Sequence, residues 1–435
     1  MTFTTGSRAL AISKYGIAAA KGSVPTAPSD TSTTPAPRWR GRILQLFPAT
    51  TFLLAPYLGL ILPIALIQGN RQLPFILGLL GLALLGCLVA EGLTAPVRAR
   101  IDLTRTAGPT TKALRAITIG VTMIAAATRI AFVLAGGGSL LAQLTGSQQS
   151  PIASAASLFS SWNLFGVGLI FACYMRKACS KRTLWLGISA IILIEGWAAL
   201  QTSVTAPLLQ VVTSVMLMAL VLGLVRLRVL VVALIVVLLA WPTFFSLRNS
   251  VRVELGSSVD QSVTAFDRLR FDDQLTAVAQ FKVPVSVNQP GPLQVLRYGL
   301  VPRVLDPNRP NISSAGLINR VLGGSSTSSY NFLSIGTIYF FYGPAGLIFY
   351  YFAAALLFSY IVSRAIRAGP IALCMAVLAA SSLMGWASTF PDVVIGYLQA
   401  LISFVPILVV LLIFKQRDRS HPGAAGSAAS SSTTR

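Results

Sequence analysis

Ten runs of predominantly apolar residues, each about the 20 residues that a helix needs to cross a 30 Å hydrocarbon core, leave this chain little choice of fold. Their approximate limits are 46–67, 73–92, 116–135, 156–175, 183–202, 206–225, 229–247, 343–363, 370–390 and 393–414. Hydrophobic residues make up 54% and charged residues 11% of the 435, and the mean hydropathy is +0.73. Soluble domains carry about 25% charge. The expected fold class is therefore all-α: a polytopic helical membrane protein with about ten transmembrane helices.

A formal net charge of +22 suggests a nucleic-acid binder until the charges are placed. Alternate connections are strongly basic: Arg98, Arg100, Arg105, Lys112 and Arg115 after the second run, Arg176, Lys177, Lys181 and Arg182 after the fourth, Arg226 and Arg228 after the sixth, Arg364 and Arg367 after the eighth, and Lys415, Arg417 and Arg419 after the tenth. The positive-inside rule then puts both termini in the cytoplasm and the long polar stretch outside. Most of the basicity is topology, with anionic lipid headgroups as its ordinary partner, so the bilayer and not nucleic acid is the expected surface. The organisation that follows is a disordered cytoplasmic arm (1–44), a seven-helix region (45–247), a large extracytoplasmic loop (248–330), a three-helix region (331–415) and a disordered cytoplasmic tail (416–435).

Several chemistries are excluded. Cys87, Cys173, Cys179 and Cys374 lie in or beside apolar runs and form no Cys-x-x-Cys motif, and His421 is the single histidine, so zinc motifs and Ser-His triads are absent. No phosphate-binding glycine loop or dinucleotide fingerprint occurs. Neither a cofactor nor a metal is expected.

Charges inside spans are costly and so draw attention. Glu91 lies near the cytoplasmic end of its run, where it can snorkel to water, and a structural role is expected for it. Arg129 and Glu195 lie deep, in the outer half of theirs, and are placed to pair. Two readings stay open for them: a buried ion pair fixing two helices, or the floor of an outward-facing cavity.

The stretch from Arg248 to Tyr330 holds Arg248, Arg252, Arg268, Arg270, Lys282, Arg297, Arg303, Arg309 and Arg320 against Glu254, Asp260, Asp267, Asp272, Asp273 and Asp306. Topology gives no reason for an outward surplus of cations. Arginine outnumbers lysine eight to one, and its planar fork suits bidentate phosphate recognition. In Arg297-Tyr-Gly-Leu-Val-Pro-Arg303-Val-Leu-Asp306-Pro-Asn-Arg309-Pro-Asn, prolines 302, 307 and 310 predict an extended backbone. An anionic lipid headgroup, a diphosphate above all, is the ligand this suggests; a solvated loop with local balance, Asp267 against Arg268 or Arg270, is the plainer reading. Downstream, Gly323-Gly-Ser-Ser-Thr-Ser-Ser-Tyr330 offers Ser326, Thr327 and Tyr330 to sugar hydroxyls or phosphate oxygens. Tyr339, Phe340, Phe341 and Tyr342 fit an interfacial aromatic belt, with sugar stacking as the other reading.

The order of these features resembles the O-antigen polymerase (Wzy-like) oligosaccharide repeat-unit polymerases. The resemblance rests on Pro302-Arg303, Asp306-Pro-Asn-Arg309-Pro310, the Ser/Thr segment from Ser325 to Ser329, and Tyr339-Phe-Phe-Tyr342-Gly343-Pro-Ala-Gly346. The match in motifs covers Arg297 to Gly346; Arg309 stands where many relatives have lysine, and Pro307-Asn308 lengthen the gap after Asp306. The resemblance implies a metal-independent glycosyltransferase that polymerises polyprenyl diphosphate-linked repeat units on the outer face of the cytoplasmic membrane. A flippase or a chain-length regulator of the same pathway would be its protein partner. It implies Arg303 and Arg309 on the diphosphate, Arg129, Arg297, Arg248 and Arg252 as further substrate contacts, and Asp306, Glu195 or Asp392 as general base. A glycan transporter and an O-antigen ligase-type transferase are the alternatives; the ligases rely on a loop histidine that this stretch lacks.

Overall fold

The computed structural model describes residues 48–99, 110–138, 150–202, 204–254, 264–266, 270–286, 291–301, 305–306, 314–323, 331–365, 369–382 and 391–420. Among these, all regular structure is helical. In chain order the helices are α1 (Pro48–Pro56), a π-helical turn (Tyr57–Ile61), α2 (Leu62–Ile67), α3 (Leu73–Ala99), α4 (Thr111–Leu134), α5 (Pro151–Ser157), α6 (Trp162–Met175), α7 (Lys181–Thr202), α8 (Ala206–Val221) and α9 (Leu227–Glu254). There follow α10 (Phe271–Thr276) with a 3-10 turn (Ala277–Gln280), α11 (Pro292–Leu300), α12 (Ser314–Val321), α13 (Leu333–Ala365), α14 (Pro370–Ser382) and α15 (Asp392–Ser420).

Among the described residues seven segments are long and apolar enough to cross a membrane: Ala49–Ile67, Leu73–Thr94, Thr111–Leu134, Pro151–Met175, Lys181–Thr202, Leu333–Val362 and Asp392–Gln416. The other three predicted runs also fall on helices, two of them shorter (Pro207–Val221 and Pro370–Ser381) and the third within the 28-residue α9. The chain is a polytopic helical membrane protein.

Its centre is α6, which packs against α4, α7 and α14 and has Phe165, Val167, Leu169 and Phe171 fully enclosed. Lipid tails are as apolar as leucine, so helices in a bilayer associate through close packing at small residues. Gly168 supplies this on α6: a Cβ there would fall 2.6 Å from the Cα of Cys374 on α14. Gly86 does the same for α3 and α13, whose contact is the most extensive in the fold; a Cβ would sit 2.5 Å from the carbonyl oxygen of Ile348.

Glu91 does not reach for water. It is buried, and it caps the first helix: the backbone N–H groups of Ala49 and Thr50 donate to Oε1 at 2.6 and 3.1 Å, and Thr50 Oγ1 donates to Oε2 at 2.8 Å. The first N–H groups of a helix have no partner within it. Here a carboxylate from the next span supplies one, favoured also by the positive end of the helix dipole.

The eighth predicted run starts ten residues early. α13 begins at Leu333 and bends at Gly343, whose φ of 66° and ψ of −166° break the helix before Pro344. Proline has no N–H for the carbonyl four residues back, which is that of Phe340. That carbonyl accepts instead from the Val285 N–H at 2.9 Å. Phe340 and Phe341 are buried, with Phe332, Val278 and Ile318, in a small aromatic core closed by Phe281. The belt reading therefore fails for these two rings: protein, not the membrane interface, surrounds them.

Three further expectations change. α9 continues to Glu254, which puts Arg248 and Arg252 on its last turns and not in a loop starting at 248. Arg297 lies within α11, so the backbone there is helical, Pro292 serving as the first residue after the Gly291 cap. At the other end, α15 runs through Ser420, so residues 416–420 of the expected disordered tail are helical. Residues 1–44 and 421–435 lie outside the described residues.

Candidate functional site

Two polar clusters are carried by helices that touch α15. The first is buried. Arg129 of α4 donates to Glu195 Oε2 of α7 through Nη2 at 2.9 Å and Nε at 3.1 Å, the two side chains being 11% and 3% exposed. The opposite oxygen, Oε1, accepts from Nδ2 of Asn163 at the start of α6. The expected pair therefore forms, and three helices are tied by one carboxylate. The Arg129 guanidinium also lies 5.7 Å from the centroid of the Phe132 ring, a cation–π contact.

At 1.5 Å per residue, Arg129 is about 8 Å from the end of α4 and Glu195 about 10 Å from the end of α7. A recess beside the pair is lined by Thr128, Arg129, Phe132, Phe159, Ser160 and Asn163, and has room for about one water molecule. Among the described residues Asn163 Oδ1 has no hydrogen-bond partner. Its amide cannot simply be turned over, because a carboxylate oxygen needs the nitrogen opposite it.

The second cluster lies at the start of α15. Helix α11 packs on the first turns of α15 through Val295 and Tyr298 against Ile395, with Gln399 Nε2 donating to the Tyr298 carbonyl at 3.1 Å. Gly299 permits the approach; a Cβ there would fall 2.5 Å from Leu398 Cδ1. On this helix Arg297 is 62% exposed and pairs with Asp306 Oδ2, Nη2 at 2.9 Å and Nε at 3.1 Å, the carboxylate being 11% exposed. Asp392, at the first residue of α15, accepts from the Ser314 N–H at 3.3 Å and so joins α12 to the same end.

The helices that carry the two clusters are anchored on α15 one turn apart. Gln399 holds α11, and one turn later the Ser403 carbonyl accepts from Trp162 Nε1 at 3.0 Å, next to Asn163. Comparison with known protein families, characterised proteins and solved structures finds no match.

Of the residues expected to act, Arg129, Glu195, Arg297 and Asp306 fall into these two clusters. Arg303, Arg309, Ser326, Thr327 and Tyr330 lie outside the described residues, as do the side chains of Arg248 and Arg252. Asn163 is the member that sequence reasoning missed. Its signal was an amide inside the apolar run Trp162-Asn-Leu-Phe-Gly, weaker than a charge because a neutral group costs less to bury.

Asp267 and Arg268 lie outside the described residues, and Arg270 has other partners. It donates to Asp272 at 3.1 Å through Nε and to Asp273 at 2.7 Å through Nη2, while Asn70 Nδ2 donates to Asp272 at 2.7 Å. This clasp fastens α10 to the turn between α2 and α3. The Asp273 carboxyl is pushed above its ordinary range by desolvation and by the Asp272 charge, which together outweigh Arg270.

Proposed function

We propose that the protein polymerises polyprenyl diphosphate-linked oligosaccharide repeat units at the outer face of a bacterial cytoplasmic membrane, as a metal-independent glycosyltransferase. The observation that carries the reading is the seating of α11. The helix that leads into the Pro302-Arg303 and Asp306…Arg309 element packs against the end of a membrane span, with Arg297 exposed beside it. A lipid-linked diphosphate is found at that depth.

In this mechanism a hydroxyl oxygen of the incoming repeat unit attacks the anomeric carbon of the growing chain. The bond from that carbon to the diphosphate oxygen breaks, and the hydroxyl proton passes to a carboxylate. Charge builds on the departing diphosphate, and guanidinium groups fixed in advance stabilise it more in the transition state than in the ground state. Arg303 and Arg309 take that role, and Arg297, held by Asp306, is a further contact. Of the three carboxylates named as base, Asp306 is a better candidate than Glu195, both of whose oxygens are engaged and whose side chain is enclosed, and Asp392 is the other. Glu195 is then a positioning residue for Arg129.

Purified protein in liposomes, supplied with lipid-linked repeat units, is expected to give elongated lipid-linked product. Movement of the glycan lipid across the bilayer without elongation would assign it to transport, and transfer to a different acceptor would make it a ligase. Arg303→Lys keeps the charge and loses the fork; it is expected to lower polymerisation at least tenfold with protein levels unchanged, about 1.4 kcal/mol in the barrier.

A further inference from the structure

Helix α11 has two faces. Val295 and Tyr298 are buried against α15, and Leu293, Leu296 and Leu300 on the opposite side are 81%, 45% and 51% exposed. Positions i, i+3 and i+7 fall on one stripe of a helix. A row of exposed leucines in water would be unfavourable by roughly 25 cal/mol per Å² of apolar surface. Something apolar covers it.

The neighbour of α11 says what. The candidate span of α15, Asp392–Gln416, has 25 residues and is therefore about 37 Å long, some 7 Å more than a 30 Å hydrocarbon core. Its first two turns, the ones that α11 touches, lie where acyl chains meet headgroups. A short helix laid against them, with its apolar side turned away from the protein, meets lipid. Gly299 and the Gln399–Tyr298 bond hold it flush against the span, so the ridge cannot turn inward.

We infer that α11 is an interfacial helix whose Leu293, Leu296 and Leu300 insert into the acyl region of the adjacent leaflet. Arg297 lies on the flank of this stripe, one position along from Leu296, and so stands at the level of lipid phosphates. Interfacial helices of this kind bury their apolar face by about 5–10 Å. The inference needs no substrate and stands apart from the polymerase reading.

The test uses the full chain in phosphatidylcholine/phosphatidylglycerol vesicles, with a nitroxide label on Leu296→Cys in a Cys179→Ser background, Cys87, Cys173 and Cys374 being buried. Lys282→Cys, exposed in the loop, is the aqueous reference. The expected result is a ratio of oxygen to water-soluble nickel accessibility several-fold higher at 296 than at 282. Leu293→Cys and Leu300→Cys should repeat it, which protects the test against one poorly folded variant. Nickel accessibility at the ridge equal to that at 282 overturns the inference, as does low accessibility to both reagents, which means protein cover. Spin–spin broadening between labels also overturns it, since a second copy would then occupy the face.

Discussion

Replacing Arg129 by alanine leaves the Glu195 carboxylate enclosed with Asn163 as its remaining described partner. Breaking a buried pair in a soluble protein costs about 3–5 kcal/mol, whereas polar contacts between membrane helices are worth about 0.6–1.7 kcal/mol, because the unfolded chain in lipid also finds partners. The orphaned charge decides between these scales, since no apolar environment relieves it. A loss of about 3 kcal/mol follows, roughly a hundredfold in the folded-to-unfolded ratio. Glu195→Gln should cost less, about 1–2 kcal/mol, since the amide still accepts from Arg129 once Asn163 turns its oxygen toward the new NH2. The exchange Arg129→Glu with Glu195→Arg should recover most of the loss, because Asn163 can offer Oδ1 to an arginine as readily as Nδ2 to a carboxylate. Thermal melting of detergent-solubilised protein, followed by monodispersity, reads the stability, and elongation of lipid-linked repeat units reads the activity. Unchanged melting of Arg129→Ala would refute the argument that the pair is desolvated. Recovery of both stability and polymerisation in the exchange would remove Arg129 from substrate binding and leave it a strut.

Gly168→Ala places a methyl 2.6 Å from the Cys374 Cα and should destabilise by about 1–3 kcal/mol through the α6–α14 contact; melting no lower than wild type would refute that packing. At the clasp, the Asp273 carboxyl has a raised pKa, so its contribution to stability is full below the ordinary carboxylate value near 3.8 and is lost as pH rises through the raised one. Asp273→Asn cannot titrate, and its melting temperature relative to wild type should therefore climb as pH rises from about 4 toward neutrality; a difference independent of pH would show that Asp273 is not perturbed.

How far the sequence carried depended on the size of the free-energy penalty behind each signal. A charge in hydrocarbon costs enough that Arg129 and Glu195 could be paired from position alone. An asparagine costs less, and Asn163 passed unnoticed although it completes the cluster. The apolar runs located the helices, yet their ends moved: Leu333 to Tyr342 is apolar because it packs against Phe281 and Val278, and composition does not distinguish a protein core from a lipid interface. Helix α11 was legible in Gly291-Pro292 followed by leucines at 293, 296 and 300, but the prolines further on suggested an extended chain throughout. Proline at the first position of a helix favours it; the same residue inside would break it.

The cap on the first helix has a consequence for how the protein is made. Ala49 and Thr50 emerge from the ribosome about forty residues before Glu91, the group that accepts their hydrogen bonds. Until then the start of α1 has no such acceptor from the protein. The first two spans therefore reach their final state together, as a helical hairpin entering the bilayer, and Glu91→Ala should show its damage early, as chains that fail to insert, before any loss is measurable in the finished fold.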